Sequence, residues 1–454
     1  MPQRRKQRSI GVIGVFLVLI VLLAELRAGA SPGIGPYQMM LLWLGFALAG
    51  LGFARMDSNF FHLSLAATSL AILVIVLELT APWIERVLPQ YPSSTVPDPI
   101  LGSRYRPNFL GHDTRGWRNR SALETAKVVA IGDSQTWGMN ATMDETWTMV
   151  LSNLTGLSVY NMAQGGYGPM QYAQLAHEAL KLSPEILVVS LYFGNDIAEA
   201  YNLTYGLDFY KDYRILSPDD MTLDYDIISA ATLELRQYWD VESRVLAKYA
   251  PRSFAAQLRY ETAIGRLLDS RGAWPTWIDT RADLNQRAKI MQADSAKLSW
   301  DIPIYLGSDT VTLFTPNYRW ILLRQDDPRL REGLRLTQQS MTAIQKIAQE
   351  HSIRFLVLLI PTKELVYADA MAAQDGVLSS DYARLVATEN SVRREIISYL
   401  DASGIQWVDS LPNLQRMVGE PIYPSSTDGH PMPMGYYTIA ESVATALDTP
   451  VTQP

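Results

Sequence analysis

The chain has 454 residues, of which 48% are hydrophobic, and it carries a formal net charge of −7. This length predicts more than one folding unit, because domains usually span roughly 100–200 residues. The acidic balance offers no basic surface for nucleic acid, so we expect no nucleic-acid partner. The chain contains no cysteine, which excludes disulfides, thiolate nucleophiles and cysteine-bound zinc together.

Hydrophobic residues are concentrated near the N-terminus. A basic stretch at residues 4–8 precedes an apolar run from Ile10 to Ala24, and further apolar runs cover Met39 to Ala54 and Phe60 to Leu77. Each run approaches the ~17–25 residues that cross a bilayer as a helix, and flanking residues can extend it. The sequence therefore predicts a transmembrane region with the lipid bilayer as its partner. This region covers residues 1–88, with spans at about 10–27, 37–54 and 60–80.

The charges beside the first span predict the orientation of the chain. The basic residues at 4–8 remain in the cytoplasm by the positive-inside rule, so three crossings place the chain after about Trp83 outside it. The first run and Ala28-Gly29-Ala30 also fit a cleavable signal peptide. Because the second and third spans form a hairpin, both readings put the C-terminal part on the same side. The prediction is a multi-pass membrane protein with its C-terminal domain outside the cytoplasm.

The composition changes after the third span. Proline, glycine and arginine are frequent from residue 89 to residue 120, which predicts a linker. From residue 121 to about residue 450, short apolar runs alternate with helical segments. This alternation predicts an α/β fold with three layers, in which helices cover both faces of a central parallel sheet. The predicted strands are Lys127–Ile131, Ser158–Asn161, Glu185–Tyr192, Ile353–Ile360 and Ile405–Val408, and the predicted helices are Glu145–Asn153, Met170–Lys181, Leu336–His351 and Gly435–Leu447.

An insertion at about residues 200–335 interrupts the alternation. We expect this segment to cover or border the functional site. Its tryptophans fit either sugar-stacking surfaces or the insertion's own core. They are Trp239, Trp274, Trp277, Trp300 and Trp320.

Four short motifs follow one another along the predicted α/β domain. They are Gly132-Asp133-Ser134, the turn NMAQGGYGP that begins at Asn161, Gly194-Asn195-Asp196, and Asp428-Gly429-His430. A serine hydroxyl becomes a good nucleophile only beside a base that a third group orients. Ser134 directly follows an apolar strand. Of the five histidines, only His430 follows an aspartate at short spacing and precedes the closing helix, which makes it the candidate base.

The order of these motifs resembles the SGNH/GDSL hydrolase superfamily, and Thr136 and Gly138 complete its GDSxTxG pattern. The resemblance implies a three-layer α/β/α catalytic domain over residues 121–450. It implies that Ser134 is the catalytic nucleophile, that His430 is the general base and that Asp428 orients His430.

The resemblance also implies an oxyanion hole. Its donors would be the backbone N–H groups of Ser134 and Gly166 and the side-chain amide of Asn195. Each such donor stabilises a tetrahedral intermediate by roughly 3–4 kcal/mol. For Asn195, the alternative is a residue that only caps a turn.

The last motif departs from the pattern of many family members. Those members carry Asp-x-x-His, whereas Asp428-Gly429-His430 is one residue shorter. The shorter spacing is similar to that of SGNH domains in polysaccharide O-acetyltransferases. The role of Asp428 is therefore less firmly implied than the role of His430.

A polar run, Pro361-Thr362-Lys363-Glu364, follows a predicted strand at the edge where site loops gather. Lys363 or Glu364 could contact a substrate, or the run could be a solvated loop that begins a helix.

These observations predict a membrane-anchored, extracytoplasmic serine esterase that cleaves acyl esters on a carbohydrate or an envelope glycan. One alternative is an O-acyltransferase that modifies an exopolysaccharide or envelope glycan. Another is a catalytically inactive glycan-binding or assembly module, against which the intact motif set argues. A multi-span acyltransferase is a candidate partner that would supply acyl groups. No cofactor and no metal are predicted.

Overall fold

The structure is a computed structural model, and it describes residues 2–27, 36–54, 58–87, 94–109, 111–216, 231–236, 238–239, 258–259, 262–270, 303–308 and 310–448. The chain divides into two compact units. The membrane-helix unit comprises Met1–Ser93 and Ser243–Met291, and the α/β unit comprises Ser94–Glu242 and Gln292–Pro454. The possible signal-peptide end at Ala28-Gly29-Ala30 and the tryptophans Trp274, Trp277 and Trp300 lie outside the described residues.

Three long helices form most of the membrane-helix unit: α1 (Pro2–Arg27), α2 (Pro36–Phe53) and α3 (Asn59–Val87). Each contains a segment long and apolar enough to cross a membrane, at Arg4–Leu23, Pro36–Phe53 and Asn59–Ala81. The prediction of three such helices is therefore confirmed.

Small residues bring α1 and α2 into close contact. A Cβ atom added at Gly14 would lie 2.4 Å from the backbone oxygen of Gly45, and one added at Gly52 would lie 2.1 Å from the Cα atom of Gly11. Glycines at such crossings let two backbones approach closely in lipid. The Gln7 side chain adds a polar contact by donating to the carbonyl oxygen of Leu51 at 2.8 Å.

The α/β unit contains a five-stranded parallel sheet, which confirms the predicted fold class. A short antiparallel pair, β1 (Thr95–Asp98) and β2 (Gly102–Tyr105), precedes it. The sheet strands lie within two residues of their predicted bounds. They are β3 (Val128–Gly132), β4 (Val159–Ala163), β5 (Ile186–Tyr192), β8 (Arg354–Ile360) and β9 (Gln406–Asp409). Between β5 and β8 lies a second antiparallel pair, β6 (Ile304–Leu306) and β7 (Val311–Leu313).

The α/β unit contains long helices that cover the sheet and short helices within its loops. In chain order they are α4 (Ser134–Trp137), α5 (Trp147–Thr155), α6 (Pro169–Ala179), α7 (Asp196–Gly206), α9 (Pro316–Ile321), α10 (Pro328–Glu350), α11 (Lys363–Val366), α12 (Ala368–Asp375), α13 (Ser380–Ala402), α14 (Leu411–Arg416) and α15 (Pro433–Asp448). The helix α8 (Ala263–Ser270) belongs to the membrane-helix unit.

Alternate residues of each strand pack into two separate cores. In β3, Val129 and Ile131 join a cluster with residues of α6, α7 and α10, whereas Val128 and Ala130 join one with residues of α5 and α15. Successive side chains of a strand point to opposite faces, so both faces of the sheet are covered. The three layers follow directly from this arrangement.

The strand order is β4-β3-β5-β8-β9, so the chain reverses its direction of growth between β3 and β5. In open α/β sheets the carboxyl ends of the strands at such a switch point form a crevice where ligands bind. Ser134 and Asn195 lie just after the carboxyl ends of β3 and β5. The fold therefore brings two of the four motifs to the crevice-forming edge.

Several elements differ from the sequence prediction or were absent from it. Helix α10 begins at Pro328, not near Leu336, because the Asp327 side chain caps its first turn and proline occupies the first helical position. Helix α13 was not predicted, although it buries a stripe that includes Leu385, Val392 and Ile396. Within the segment predicted as a linker, β1 and β2 pair as a hairpin, and Arg104 of β2 forms ion pairs with neighbouring carboxylates.

Candidate active site

The nucleophile motif occupies a sharp strand-to-helix junction. Strand β3 is buried along its whole length, and α4 begins at Ser134 immediately after Asp133. The Asp133 carboxylate accepts a hydrogen bond from the backbone N–H of Gln135 at 2.9 Å. Helix α4 is a single turn of four residues, so its dipole contributes little to the electrostatics at Ser134. The junction itself positions the side chain at the sheet edge.

Ser134, His430 and Asp428 form one chain of hydrogen bonds. The His430 Nε2 atom lies 2.8 Å from Ser134 Oγ, and the His430 Nδ1 atom lies 2.6 Å from Asp428 Oδ1. With the ring proton on Nδ1, Nε2 accepts from the serine hydroxyl, which is the arrangement of a nucleophile, a base and an orienting group. The short Asp-x-His spacing permits this contact, because the backbone N–H of His430 also donates to Asp428 Oδ1 at 3.0 Å.

The charge of Asp428 is stabilised from two sides. Its Oδ2 atom accepts a hydrogen bond from Asn140 Nδ2 at 2.7 Å. Burial raises the pKa of Asp428, but the hydrogen bond and charge of His430 and the hydrogen bond from Asn140 outweigh this effect and hold the pKa well below its usual range. Asp428 therefore remains ionised at neutral pH, as an orienting carboxylate must.

The loop that carries Asp428 and His430 is held by a buried lysine. The Lys363 side chain is 0% exposed, and its Nζ atom donates to the backbone carbonyls of Ser426 and Asp428, both at 2.9 Å. Burying an ammonium group is costly unless its protons are hydrogen-bonded. These two bonds offset that cost and fix the loop just before the catalytic candidates.

The residues that follow β8, from Pro361 to Glu364, pack inside the α/β unit. Thr362 donates through its backbone N–H to Glu389 at 2.9 Å, and Glu364 accepts from the backbone N–H of Thr315, also at 2.9 Å. Thr362, Lys363 and Glu364 are all buried. The run begins a helix, as one of the two alternatives proposed, because Thr362 caps α11 at Lys363. Its burial contradicts both the predicted substrate contact of Lys363 or Glu364 and the predicted exposure to solvent.

Arg319 links the third and fourth motifs. Its Nη1 atom donates to the carbonyl oxygen of Gly194 at 3.3 Å. A Cβ atom added at Gly429 would lie 2.3 Å from Arg319 Nη2, so a larger residue between Asp428 and His430 would displace the guanidinium. The glycine of the Asp428-Gly429-His430 motif thus makes room for this arginine, which belongs to α9 within the predicted insertion.

Buried polar contacts also fix the nucleophile loop. Asn161, on β4, donates from its side chain to the carbonyl oxygen of Thr136 at 2.8 Å. Arg118 donates to the carbonyl oxygens of Trp137, Gly138 and Ala141 at 2.6–2.8 Å. The hydrogen bonds from Arg118 order the turn that contains Asn140, the partner of Asp428.

The turn predicted to supply an oxyanion donor lies beside the nucleophile. A Cβ atom added at Gly165 would lie 3.6 Å from Ser134 Cβ, so this turn is adjacent to the serine. Gly166 has a φ of +81°, a conformation that glycine adopts without strain. The turn therefore brings the predicted donor Gly166 to the same edge as Ser134.

Asn195 lies at the start of α7, at the carboxyl end of β5. Although it occupies the N-cap position, its side chain makes no capping hydrogen bond. Its Oδ1 atom is buried, and no described residue gives it a hydrogen bond. The alternative of a capping asparagine is therefore wrong, and its amide group remains uncommitted to the backbone of α7.

Two buried carboxyl groups lie behind the motifs. Burial raises the pKa of Asp133 to about 6, against the hydrogen bond from Gln135 and the charge of His430. Burial and the neighbouring Asp133 raise the pKa of Asp196 well above its usual value. Tyr172 and the backbone N–H of Tyr192 donate hydrogen bonds to Asp196. These contacts tie the third motif to α6 and to the end of β5.

No sequence motif marks Asn140, Arg118 or Arg319, and the structural role of Lys363 was not predicted. The sequence holds one local signal for Asn140, an asparagine two residues after a glycine, which is typical of a turn. In the structure its φ is +63°. The other side chains act through contacts between distant parts of the chain, which no motif marks. In the part of the chain that the structure describes, no group of three or more His, Cys, Asp or Glu side chains is arranged to hold a metal ion.

Solved structures resemble this chain at low similarity, and two of them are as follows. No family model matches the chain, and no curated protein sequence matches it either. One neighbour is a lipolytic protein assigned to the G-D-S-L family from Desulfitobacterium hafniense DCB-2, with a TM-score of 0.32 and 13% identity over 71% of this chain and 99% of that chain. The other is an acetyl xylan esterase from the rumen bacterium Butyrivibrio proteoclasticus, with a TM-score of 0.26 and 10% identity over 72% of this chain and 64% of that chain. Scores this low carry no argument, so the functional proposal rests on the geometry of the site.

Proposed function

We propose that the protein is a membrane-anchored serine esterase of the SGNH/GDSL type, with its α/β unit outside the cytoplasm. The observation that carries this proposal is the hydrogen-bonded chain from Ser134 through His430 to Asp428 at the switch point of the sheet. These three groups are the nucleophile, base and orienting carboxylate that acyl transfer requires.

In the first half of the reaction, Ser134 Oγ attacks the carbonyl carbon of the ester while its proton moves to His430 Nε2. The carbonyl π electrons move to the oxygen, which becomes the oxyanion of a tetrahedral intermediate. The backbone N–H groups of Ser134 and Gly166 and the Asn195 amide would donate hydrogen bonds to this oxyanion. The ionised Asp428 stabilises the imidazolium that forms.

In the second half, the intermediate collapses and the bond to the alcohol oxygen breaks. His430 returns its proton to that oxygen, the alcohol leaves, and the acyl group remains on Ser134. Water then attacks the acyl carbon while His430 takes a proton from it. Collapse of the second intermediate releases the carboxylic acid and restores the Ser134 hydroxyl.

The membrane-helix unit supports the proposed location. Three helices have the length and apolar composition of membrane spans. The basic residues before the first span favour an N-terminus in the cytoplasm, and an odd number of crossings then exports the α/β unit. An extracytoplasmic esterase would meet carbohydrate esters of the cell envelope, which we propose as its substrate class.

A direct experiment compares esterase turnover in the full-length protein reconstituted in lipid nanodiscs. Ser134→Ala and His430→Ala should each lower kcat for p-nitrophenyl acetate by roughly 10⁴-fold or more, because the members of such a triad act as a unit. Ser380→Ala, which alters an exposed serine on α13, is the matched control and should retain full activity. Substantial turnover by Ser134→Ala would refute the serine-esterase proposal.

An O-acyltransferase would use the same acyl-Ser134 intermediate but would pass the acyl group to a sugar hydroxyl. The short Asp-x-His motif, which is similar to that of polysaccharide O-acetyltransferases, is the observation that favours this second candidate. Mass spectrometry of reactions that contain an acyl donor and a panel of oligosaccharides distinguishes the two. Free acid alone supports the esterase, whereas acylated sugar that disappears with Ser134→Ala supports transfer.

A further inference from the structure

A carboxylate lies near the end of the third apolar helix. Glu78 is only 8% exposed and lies three residues before Ala81, where the apolar span of α3 ends. Its carboxylate accepts hydrogen bonds from the Tyr37 hydroxyl at 2.7 Å and from the backbone N–H groups of Ala263 and Ile264. Burying a carboxylate at the margin of a bilayer is costly unless it is hydrogen-bonded. The three donors offset this cost.

Two of the three donors are the first N–H groups of a helix that is remote in sequence. Helix α8 begins at Ala263, and the early N–H groups of any helix lack partners within that helix. Glu78 satisfies two of them, and Thr262 Oγ1 accepts a third from Gly265 at 2.9 Å. The negative carboxylate also complements the positive end of the helix dipole. The start of α8 is thus capped by a side chain of a predicted transmembrane helix.

Helix α8 has the features of a surface-lying helix. It has eight residues, about 12 Å at 1.5 Å per residue, which is too short to cross a bilayer. Ile264 and Leu268 are four residues apart and therefore lie on the same face of the helix, which has an amphipathic pattern as a whole. Leu268 is 37% exposed, so it is available to another apolar phase. A short amphipathic helix of this kind can lie in the interfacial region of a membrane.

We propose that residues 262–270 form a second membrane-contacting element, an interfacial helix that Glu78 fastens to the transmembrane helices. Its partner is the headgroup and upper acyl region of the bilayer at the end of α3 that continues into the α/β unit. The inference rests on the proposed membrane anchoring of the chain. The predicted insertion would then contribute to membrane contact, because part of it belongs to the membrane-helix unit. The chain would therefore return to the membrane between two sequence segments of the α/β unit.

The test uses the full-length protein in nanodiscs and exploits its lack of native cysteine. A nitroxide is attached to a single cysteine at Leu268→Cys, and its collision rates with oxygen and with a water-soluble nickel chelate are compared. The matched control is Val377→Cys, which lies in the α/β unit and replaces a side chain that is 76% exposed. The Leu268 label should favour oxygen over the chelate at least threefold relative to the control. Equal chelate access at both sites would overturn the proposal.

A second measurement tests the role of Glu78. Glu78→Leu removes all three acceptor contacts and should increase the mobility and chelate access of the Leu268 label, whereas Glu78→Gln keeps an acceptor oxygen and should change them less. An unchanged label in Glu78→Leu would contradict the fastening role. Both variants should hydrolyse p-nitrophenyl acetate at the wild-type rate, because Glu78 is not part of the catalytic machinery. If the esterase proposal is wrong, Ser134→Ala retains turnover, whereas if the interfacial-helix proposal is wrong, the Leu268 label remains accessible to the chelate. The two outcomes are therefore distinguishable.

Discussion

Ser134 and His430 lie 2.8 Å apart, but different kinds of structure hold them. Ser134 is positioned chiefly by local backbone geometry, in which a buried strand ends and a one-turn helix begins, while Arg118 and Asn161 order the turn that follows it. His430 lies in an irregular segment between residues 421 and 432, where no strand or helix fixes the backbone. Side chains from distant parts of the chain fix it instead, chiefly Lys363 and Asn140. The nucleophile side should therefore tolerate loss of one side-chain contact better than the base side.

The largest effect outside the triad is expected for the proposed oxyanion donor Asn195, because it would contact the reacting atoms and not merely support the triad. Asn195→Ala should lower kcat for p-nitrophenyl acetate by ~10²–10³-fold with little change in KM, because the donor acts on the charge of the transition state. Asn153→Ala, at an exposed position of α5, is the control and should be neutral. A silent Asn195→Ala would remove this residue from the oxyanion hole.

Lys363 provides the corresponding test of the base side. Lys363→Met keeps most of the length and the apolar stem of the side chain but removes both hydrogen bonds to the loop carbonyls, so kcat should fall roughly 10–100-fold as His430 loses its alignment. KM should change little. Rates are expressed per site titrated with an active-site phosphonate, so that loss of folded protein is not counted as loss of alignment.

Two variants complete this comparison. Lys363→Arg keeps donors at the end of a long side chain and should recover part of the rate. Lys346→Met, at an exposed lysine of α10, should leave it unchanged. If Lys363→Met lowers only the amount of titratable enzyme and not the rate per site, Lys363 is structural and the contrast between the two sides fails.

The smallest effect concerns stability and pH. The pKa of Asp133 in the folded protein is about 6, above its ordinary value of 3.8. The folded state therefore holds this proton more tightly, and the resulting stability is present below about pH 4 and is lost as the pH rises through about 6. Asp133→Asn cannot ionise and keeps the acceptor for Gln135. Its Tm should rise relative to the wild type between pH 4 and pH 7.

Thermal melts across this pH range, with Asp326→Asn as the exposed control, provide the measurement. Parallel Tm curves for the wild type and Asp133→Asn would contradict the raised pKa. A Tm advantage of Asp133→Asn that grows toward acid would mean that folding lowers the pKa of Asp133 instead of raising it.

The sequence predicted the sheet well because its signal is local. The strands β5 and β8 are nearly continuous apolar runs rich in branched residues, which is typical of a parallel sheet covered on both faces. The start of α10 was recognisable in principle from Asp327 and Pro328, since a capping aspartate followed by proline is a helix-start signal. The amphipathic pattern of α13 carried the same kind of information but was not identified.

The sequence also named the residues that the structure brings together as Ser134, His430 and Asp428. It could not reveal their support, because that support depends on pairs that are far apart in the chain. Asn140 and Asp428 are 288 positions apart, and Lys363 and Asp428 are 65 apart. A polar run such as 361–364 looks solvated when only its composition is known. Its burial follows from the tertiary packing of α9, α13 and the 424–430 loop around it.

The central claim is that His430 activates Ser134 and no other serine. The most direct measurement is to incubate the full-length protein with a fluorophosphonate and to map the adduct by peptide mass spectrometry. The account predicts one adduct, on Ser134, formed quickly in the wild type and at least about 10³-fold more slowly in His430→Ala. An adduct on a different serine, or equally fast labelling of Ser134 in His430→Ala, would contradict it.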